Sequence, residues 1–176
     1  LENVADYKPD EDITFNVGQE YTNVDGVVTF RGNSFRDNPT YGYANMTNYK
    51  LNKLWSADTG SLSSGSAVWT GSGWTGQPLM AKWPKEVKAH MNMTEKAKAD
   101  DDLVEVIYAC MDGYVYFLNL RTGEKTRDPL YLGYTFKGAG ALDPRGYPIM
   151  YVGAGYNSNE ATARAFVVNL LDCSVM

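Results

Sequence analysis

Residues 103–127 read LVEVIYACMDGYVYFLNLRTGEKTR, and this stretch decides the fold. It divides into two strands joined by a tight turn, then a second tight turn leading into a third strand. Asp112-Gly113 joins the first pair, and Asp-Gly between alternating apolar residues is a strong short-range hairpin signal. Val104, Val106, Tyr108 and Cys110 fall on one face, with Glu105, Ile107, Ala109 and Met111 on the other, because strand side chains alternate. Beyond the turn, Tyr114, Tyr116, Leu118 and Leu120 alternate with Val115, Phe117 and Asn119. Few of these positions are polar, so both faces are expected to be covered by other sheets. Thr122-Gly123-Glu124 supplies the second turn, with glycine free to take a positive φ.

The same logic recurs downstream. Tyr108 and Tyr151 sit in matching contexts, VIYAC and IMYVG, and Asn119-Leu120 and Asn169-Leu170 sit in FLNL and VVNL. The spacing between copies grows along the repeat because the connection at 155–163 is longer than Asp112-Gly113. Repeats of about 40–50 residues signal a propeller or a solenoid.

MDG (111–113), YVYFLNL (114–120) and RTGEK (121–125) together resemble one blade of the pyrroloquinoline-quinone-like (PQQ-like) β-propeller repeat family. In such blades an apolar strand ends at a D-G turn, and T-G-E or T-G-K opens the outermost strand. FRGN…R (30–36) followed by KLWSADTG (53–60) is similar to the opening of the first blade. The resemblance implies an all-β fold. The expected fold is a partial β-propeller of about three four-stranded antiparallel blades with a short helical insertion. The expected division is an acidic N-terminal arm at 1–26 and blades over 27–176. A propeller ring takes roughly 4–8 blades, so the chain is expected to be N-terminal blades of a longer ring or one part of a split ring. An open arc exposes a blade face, which points to self-association.

Composition agrees with a packed β-rich chain. Hydrophobic residues make up 44% and aromatics 13%, which excludes a disordered chain. The 13 tyrosines favour strands and the 17 glycines favour tight turns. The net charge of -5 is concentrated at the start, where residues 1–26 hold seven acids and only Lys8 as a base. That segment reads as a solvated arm. No basic stripe points to nucleic acid, and no apolar run approaches the roughly 18 residues of a membrane span. The resemblance implies an exported or cell-surface protein, extracellular in location.

Along the chain, strands are expected at 27–30 and 51–57 with a loop between them. Trp55 is expected to be a core or inter-blade residue whose indole N–H needs a partner. Residues 60–76 show no helical period. Leu79, Ala81 and Trp83 alternate in an innermost strand that Pro84 stops. Residues 85–102 contain good helix formers, with Val87 and Met91 one turn apart, and predict one short inserted helix. Asp100, Asp101 and Asp102 read as a solvated turn, since the run lacks the spaced ligands of a calcium loop. Residues 129–136 are expected to form the outer strand. Cys110 and Cys173 read as unpaired thiols; a disulfide would need their Cα atoms within about 7 Å.

The chemistry points to binding. His90 is the sole histidine and has no nucleophile motif around it. No phosphate-binding glycine loop appears. Asp112, Asp143 and Asp172 lie at expected turns, which explains them without catalysis. Trp69, Trp74 and Trp83 cluster beside Gln77 and many hydroxyls, a set able to stack on sugar rings or grip a peptide, or else to fill space between sheets. Gln77 and Lys137 are expected at the channel mouth. Arg31 and Arg36 can hold an anion, or tie their loop down and pair with Asp37. The expected role is therefore a non-catalytic scaffold binding a protein, peptide or glycan, with no cofactor and no metal. The resemblance also offers a quinone-dependent dehydrogenase, or another propeller enzyme whose active site needs further blades. This chain lacks the adjacent cysteines of the quinone enzymes.

Overall fold

The computed structural model describes residues 22–73, 75–155 and 163–176. Most of the acidic arm and the whole of Trp74 therefore lie outside the described residues. The chain is mostly β: the described residues form β1(Asp25–Val27), β2(Ser61–Ser64), β3(Ala67–Thr70), β4(Leu79–Lys82), α1(Lys85–His90), α2(Glu95–Ala99), β5(Glu105–Ala109), β6(Tyr114–Asn119), β7(Leu130–Tyr131), β8(Ala141–Leu142), β9(Ile149–Ala154), β10(Arg164–Asn169) and β11(Ser174–Val175). They make three antiparallel sheets of unequal size. The first runs β1-β4-β5-β6-β7, the second β11-β10-β9-β8, and β2-β3 pair alone. The expected third four-stranded unit is thus only a two-stranded hairpin.

The hairpin at 105–119 forms in the register its alternation demands, with Tyr108 opposite Tyr116 and Ala109 opposite Val115. Its loop is one residue longer than Asp-Gly alone. The Cys110 N–H donates to the Tyr114 carbonyl at 2.8 Å, and Gly113 closes the loop at φ 87°. A three-residue loop ending in a left-handed glycine is a standard hairpin solution. Both faces of β5 are buried apart from Tyr108, as the shortage of polar positions suggested.

The repeat is structural as well as sequential. The Leu120 N–H donates to the Val104 carbonyl (3.0 Å), and the Leu170 N–H donates to the Pro148 carbonyl (2.7 Å). Asn119 Oδ1 accepts from the Arg121 N–H at 2.8 Å, and Asn169 Oδ1 from the Leu171 N–H at 3.0 Å. At the tip, Thr122 Oγ1 accepts from the Glu124 N–H and Asp172 Oδ1 from the Ser174 N–H. Gly123 has φ 72°, and Cys173 occupies the same place with φ 62°. RTGEK and LLDCSV therefore build the same turn.

Residues 85–102 form two helices where one was expected. Met91 and Met93 are both buried, a spacing of two that needs extended backbone. The break is pinned to both sheets, since the Asn92 N–H donates to the Leu171 carbonyl (2.7 Å) and the Thr94 N–H to the Thr126 carbonyl (2.8 Å). Thr94 then caps α2 by accepting from the Ala97 N–H at 3.2 Å. Asp100 closes the following turn and pairs with Arg121 at 2.9 Å.

Three further expectations change. Residues 51–57 form no strand, and Leu51 and Leu54 point to solvent. The segment docks by a side chain instead: the half-buried Trp55 donates its indole N–H to the Leu120 carbonyl at 2.9 Å and lays its ring on Gly123. The outer strand shrinks from 129–136 to Leu130–Tyr131, because the Leu132 and Phe136 N–H groups turn back onto the Gly113 and Cys110 carbonyls. The strand expected at 27–30 lies slightly earlier, at Asp25–Val27, followed by a Thr29–Gly32 bridge.

One core joins both sheets and the helices. Trp83, Met91, Met93, Ile107, Phe117, Phe136, Met150 and Val168 belong to it. At its centre lies a buried ion pair. Arg127 Nη2 reaches Glu105 Oε2 at 2.8 Å and its Nε reaches Oε1 at 3.0 Å. The indole N–H of Trp83 donates to Glu105 Oε2 (2.9 Å), and the Thr126 hydroxyl donates to Oε1. Arg127 also reaches the Leu170 carbonyl of the second sheet and stacks 4.7 Å over the Phe117 ring. A buried charge is tolerated only when its remaining donors and acceptors are matched, and here they are.

Candidate functional site

The residues singled out from the sequence separate into three places. Trp83 is a core residue, 3% exposed and held by Glu105, so it cannot meet a ligand at the surface. Of the two readings open for it, this is what filling the space between sheets requires. It is large, apolar and next to a buried acceptor, and the interior satisfies it completely.

Trp69 and Lys137 are brought together. The Lys137 ammonium lies 4.9 Å from the centre of the Trp69 ring, within cation–π range. Trp69 sits on β3, whose hairpin with β2 turns at Gly65-Ser66. The following segment is laid against the loop between β7 and β8 that carries Lys137. The Thr75 hydroxyl donates to the Lys137 carbonyl at 2.7 Å. Gly76 passes so close to Gly138 that an added Cβ would lie 2.7 Å from its carbonyl carbon.

Arg31 and Gln77 are also brought together, through backbone. Gln77 Oε1 accepts from the Arg31 N–H at 2.8 Å, and its Nε2 donates to the Pro39 carbonyl at 3.0 Å. Both ends of the amide hold the 31–39 loop in place, leaving Gln77 a tether. The Arg31 side chain is exposed. Arg36 stacks 5.9 Å from Phe30, while Asp37 accepts from Asn33, so the expected Arg36–Asp37 pair does not form.

That tethered loop makes a groove the sequence reading missed. One lobe, about 380 Å³, is lined by Asp25, Gly26, Asn38, Thr40, Tyr41, Gly42 and Tyr43. A second, about 190 Å³, shares Asp25, Gly26 and Asn38 and continues to Thr22 and Asn33. Tyr41 and Asp25 share the wall of the larger lobe; burial, then the Asp25 charge, push the Tyr41 hydroxyl above the ordinary tyrosine range. The only advance signal was the Tyr-Gly-Tyr at 41–43, in a loop whose course depends on contacts far along the chain.

The carboxylates at turns serve those turns. Asp112 Oδ2 accepts from the Gly60 N–H (2.7 Å) and the Tyr116 hydroxyl (2.5 Å), and Oδ1 accepts from the Tyr114 N–H (3.1 Å). Hydrogen bonding to Arg145 holds Asp143 down at about 2. Cys110 and Cys173 are free. Burial, then the Asp112 charge, push the Cys110 thiol up to about 12. Burial, then the hydrogen bond to Asp112, push Tyr116 to about 12 as well.

These shifts set the alkaline behaviour. Above pH 9 an unfolded Cys110 loses its proton while the folded one keeps it, and Tyr116 follows above pH 10. The folded state then binds more protons, so stability must fall as pH rises through this window toward 12. Urea midpoints measured between pH 8 and 11 should decline, and Cys110→Ala should flatten part of the decline. A midpoint unchanged to pH 11 would contradict the buried thiol.

Among the described residues, no group of three or more acidic, histidine or cysteine side chains could hold a metal ion. No described helix is long and apolar enough to cross a membrane. No family model, curated protein or solved structure matches the chain.

Proposed function

We propose that the chain is a binding scaffold of propeller type, non-catalytic, exported or at the cell surface, and that it holds a protein, peptide or glycan. The observation that carries the scaffold reading is the shared turn of RTGEK and LLDCSV, including the left-handed Cys173 where the first copy has Gly123. It supports reading β4-β5-β6-β7 and β8-β9-β10-β11 as two copies of one unit, each a four-stranded meander on a common core, with β1 added to the edge of the first. Radial repetition of small meander sheets is how propellers are built.

The binding face is placed at Trp69 and Lys137. Trp69 offers a flat apolar ring, Lys137 a charge, and Thr75 a hydroxyl beside them. The turn carboxylates are committed to backbone N–H groups and to Arg145, which leaves them little freedom for proton transfer. Screening the chain on glycan and peptide arrays tests this. Trp69→Ala should lower binding to whichever ligand is captured by about tenfold or more, the scale of a lost aromatic anchor. Unchanged binding, with the circular dichroism spectrum intact, would remove Trp69 from the site.

A further inference from the structure

We infer that the groove between β1 and the 38–43 loop is a separate site for a neutral saccharide. It uses none of the Trp69–Lys137 face, and rests on the reading above only in taking the chain for a binding module. The larger lobe, about 380 Å³, falls in the size range of ligand pockets, roughly 300–1,000 Å³.

Its lining matches sugar chemistry. Neighbouring sugar hydroxyls each donate and accept, so they need mixed donors and acceptors side by side. Asp25 supplies acceptors, the Asn38 amide supplies both, and the Thr40 hydroxyl supplies both. The side chains of Asn38 and Thr40 have no hydrogen-bond partner among the described residues. Thr22 Oγ1, in the smaller lobe, is shielded from solvent and also lacks one there. Tyr43 is 108% exposed, a ring with a flat apolar face and a polar tip standing at the rim. Such a ring suits the C–H face of a pyranose and leaves the sugar hydroxyls to the polar wall.

Charge separates this ligand from its rivals. The larger lobe has one acid and no base, which disfavours an anion. Asp25 is exposed, so it holds an ammonium group only weakly. The wall itself is held in place. Gln77 fixes Arg31 and Pro39, and Gly32 lies against the Asn38 carbonyl.

Calorimetric titration of the full chain tests the assignment. The probes are neutral gluco-, xylo- and manno-oligosaccharides, oligogalacturonate, chitosan oligomers and choline. A neutral oligosaccharide should bind, and Tyr43→Ala and Asn38→Ala should each weaken it about tenfold, the scale of one lost stacking or amide contact. Tyr43 is wholly exposed, so its removal should leave the unfolding midpoint in place. Trp69→Ala should leave this binding unchanged. Binding of choline or oligogalacturonate in preference to neutral sugars would overturn the assignment, as would no binding by any neutral probe. Loss on Trp69→Ala without loss on Tyr43→Ala would also overturn it, while supporting the Trp69–Lys137 face.

Discussion

Arg127→Ala is expected to destabilise the chain by about 3–5 kcal/mol, the largest effect of any single substitution considered. The Arg127 and Glu105 side chains are both fully buried. Removing the guanidinium leaves the Glu105 carboxylate without its counter-charge in a low-dielectric interior. The Trp83 indole and the Thr126 hydroxyl remain, but two neutral donors do not replace a bidentate cation. The Leu170 carbonyl also loses its donor, so the damage spans both sheets. The urea midpoint reports this directly.

The double substitution Glu105→Leu with Arg127→Met separates the ion pair from its surroundings. Buried pairs exchanged for apolar residues of similar volume are often neutral or better. Here Trp83 Nε1 and Thr126 Oγ1 would each lose an acceptor, at about 1–3 kcal/mol apiece. The double variant should therefore recover part of the loss, and the coupling between the two sites should be large. If Arg127→Ala costs less than about 1 kcal/mol, the range of an exposed pair, then water reaches the pair and it is not the joint between the sheets.

Glu105 shows what the sequence revealed and what it hid. The hairpin around it was legible because alternation and Asp-Gly act within a few residues. Glu105 is the lone charge in VEVIYAC, but nothing within that stretch tells a buried carboxylate from an exposed one. The partner was not visible, because Arg127 lies beyond a second turn and could equally have faced water. The β2-β3 hairpin was hidden for another reason. Gly65-Ser66 is a recognised hairpin turn, but in SLSSGS it is surrounded by residues that also favour loops. Residues 51–57 resemble the outer strand of a blade yet form no strand, and the Trp55 side chain fixes them instead. At the candidate sites, Trp69 and Lys137 were named separately and the structure made them neighbours. The groove was out of reach, since its wall stands where Gln77 holds it.

Gly123→Ala is expected to cost about 2–5 kcal/mol, from a left-handed backbone cost of roughly 1–2 and an overpacking cost of about 1–3. The residue has φ 72°, and an added Cβ would lie 2.6 Å from the Trp55 ring. That ring is held by its bond to the Leu120 carbonyl, so it cannot retreat without losing a partner. The matching position in the second sheet lacks that cost. Cys173 already carries a side chain at φ 62°. Cys173→Gly removes that strain and adds chain entropy of about 0.5–1 kcal/mol to the unfolded state. It also gives up the packing of the Cys173 side chain on the core and its contacts with Asn92 and Arg127, so against about 1–2 kcal/mol of strain relieved the change should be near neutral. Thermal unfolding of both variants measures the contrast. A cost at Gly123 without one at Cys173 is expected because both hold the same left-handed backbone and Gly123 alone is described under the Trp55 ring. A neutral Gly123→Ala would mean that neither the left-handed backbone nor the Trp55 strap constrains this position.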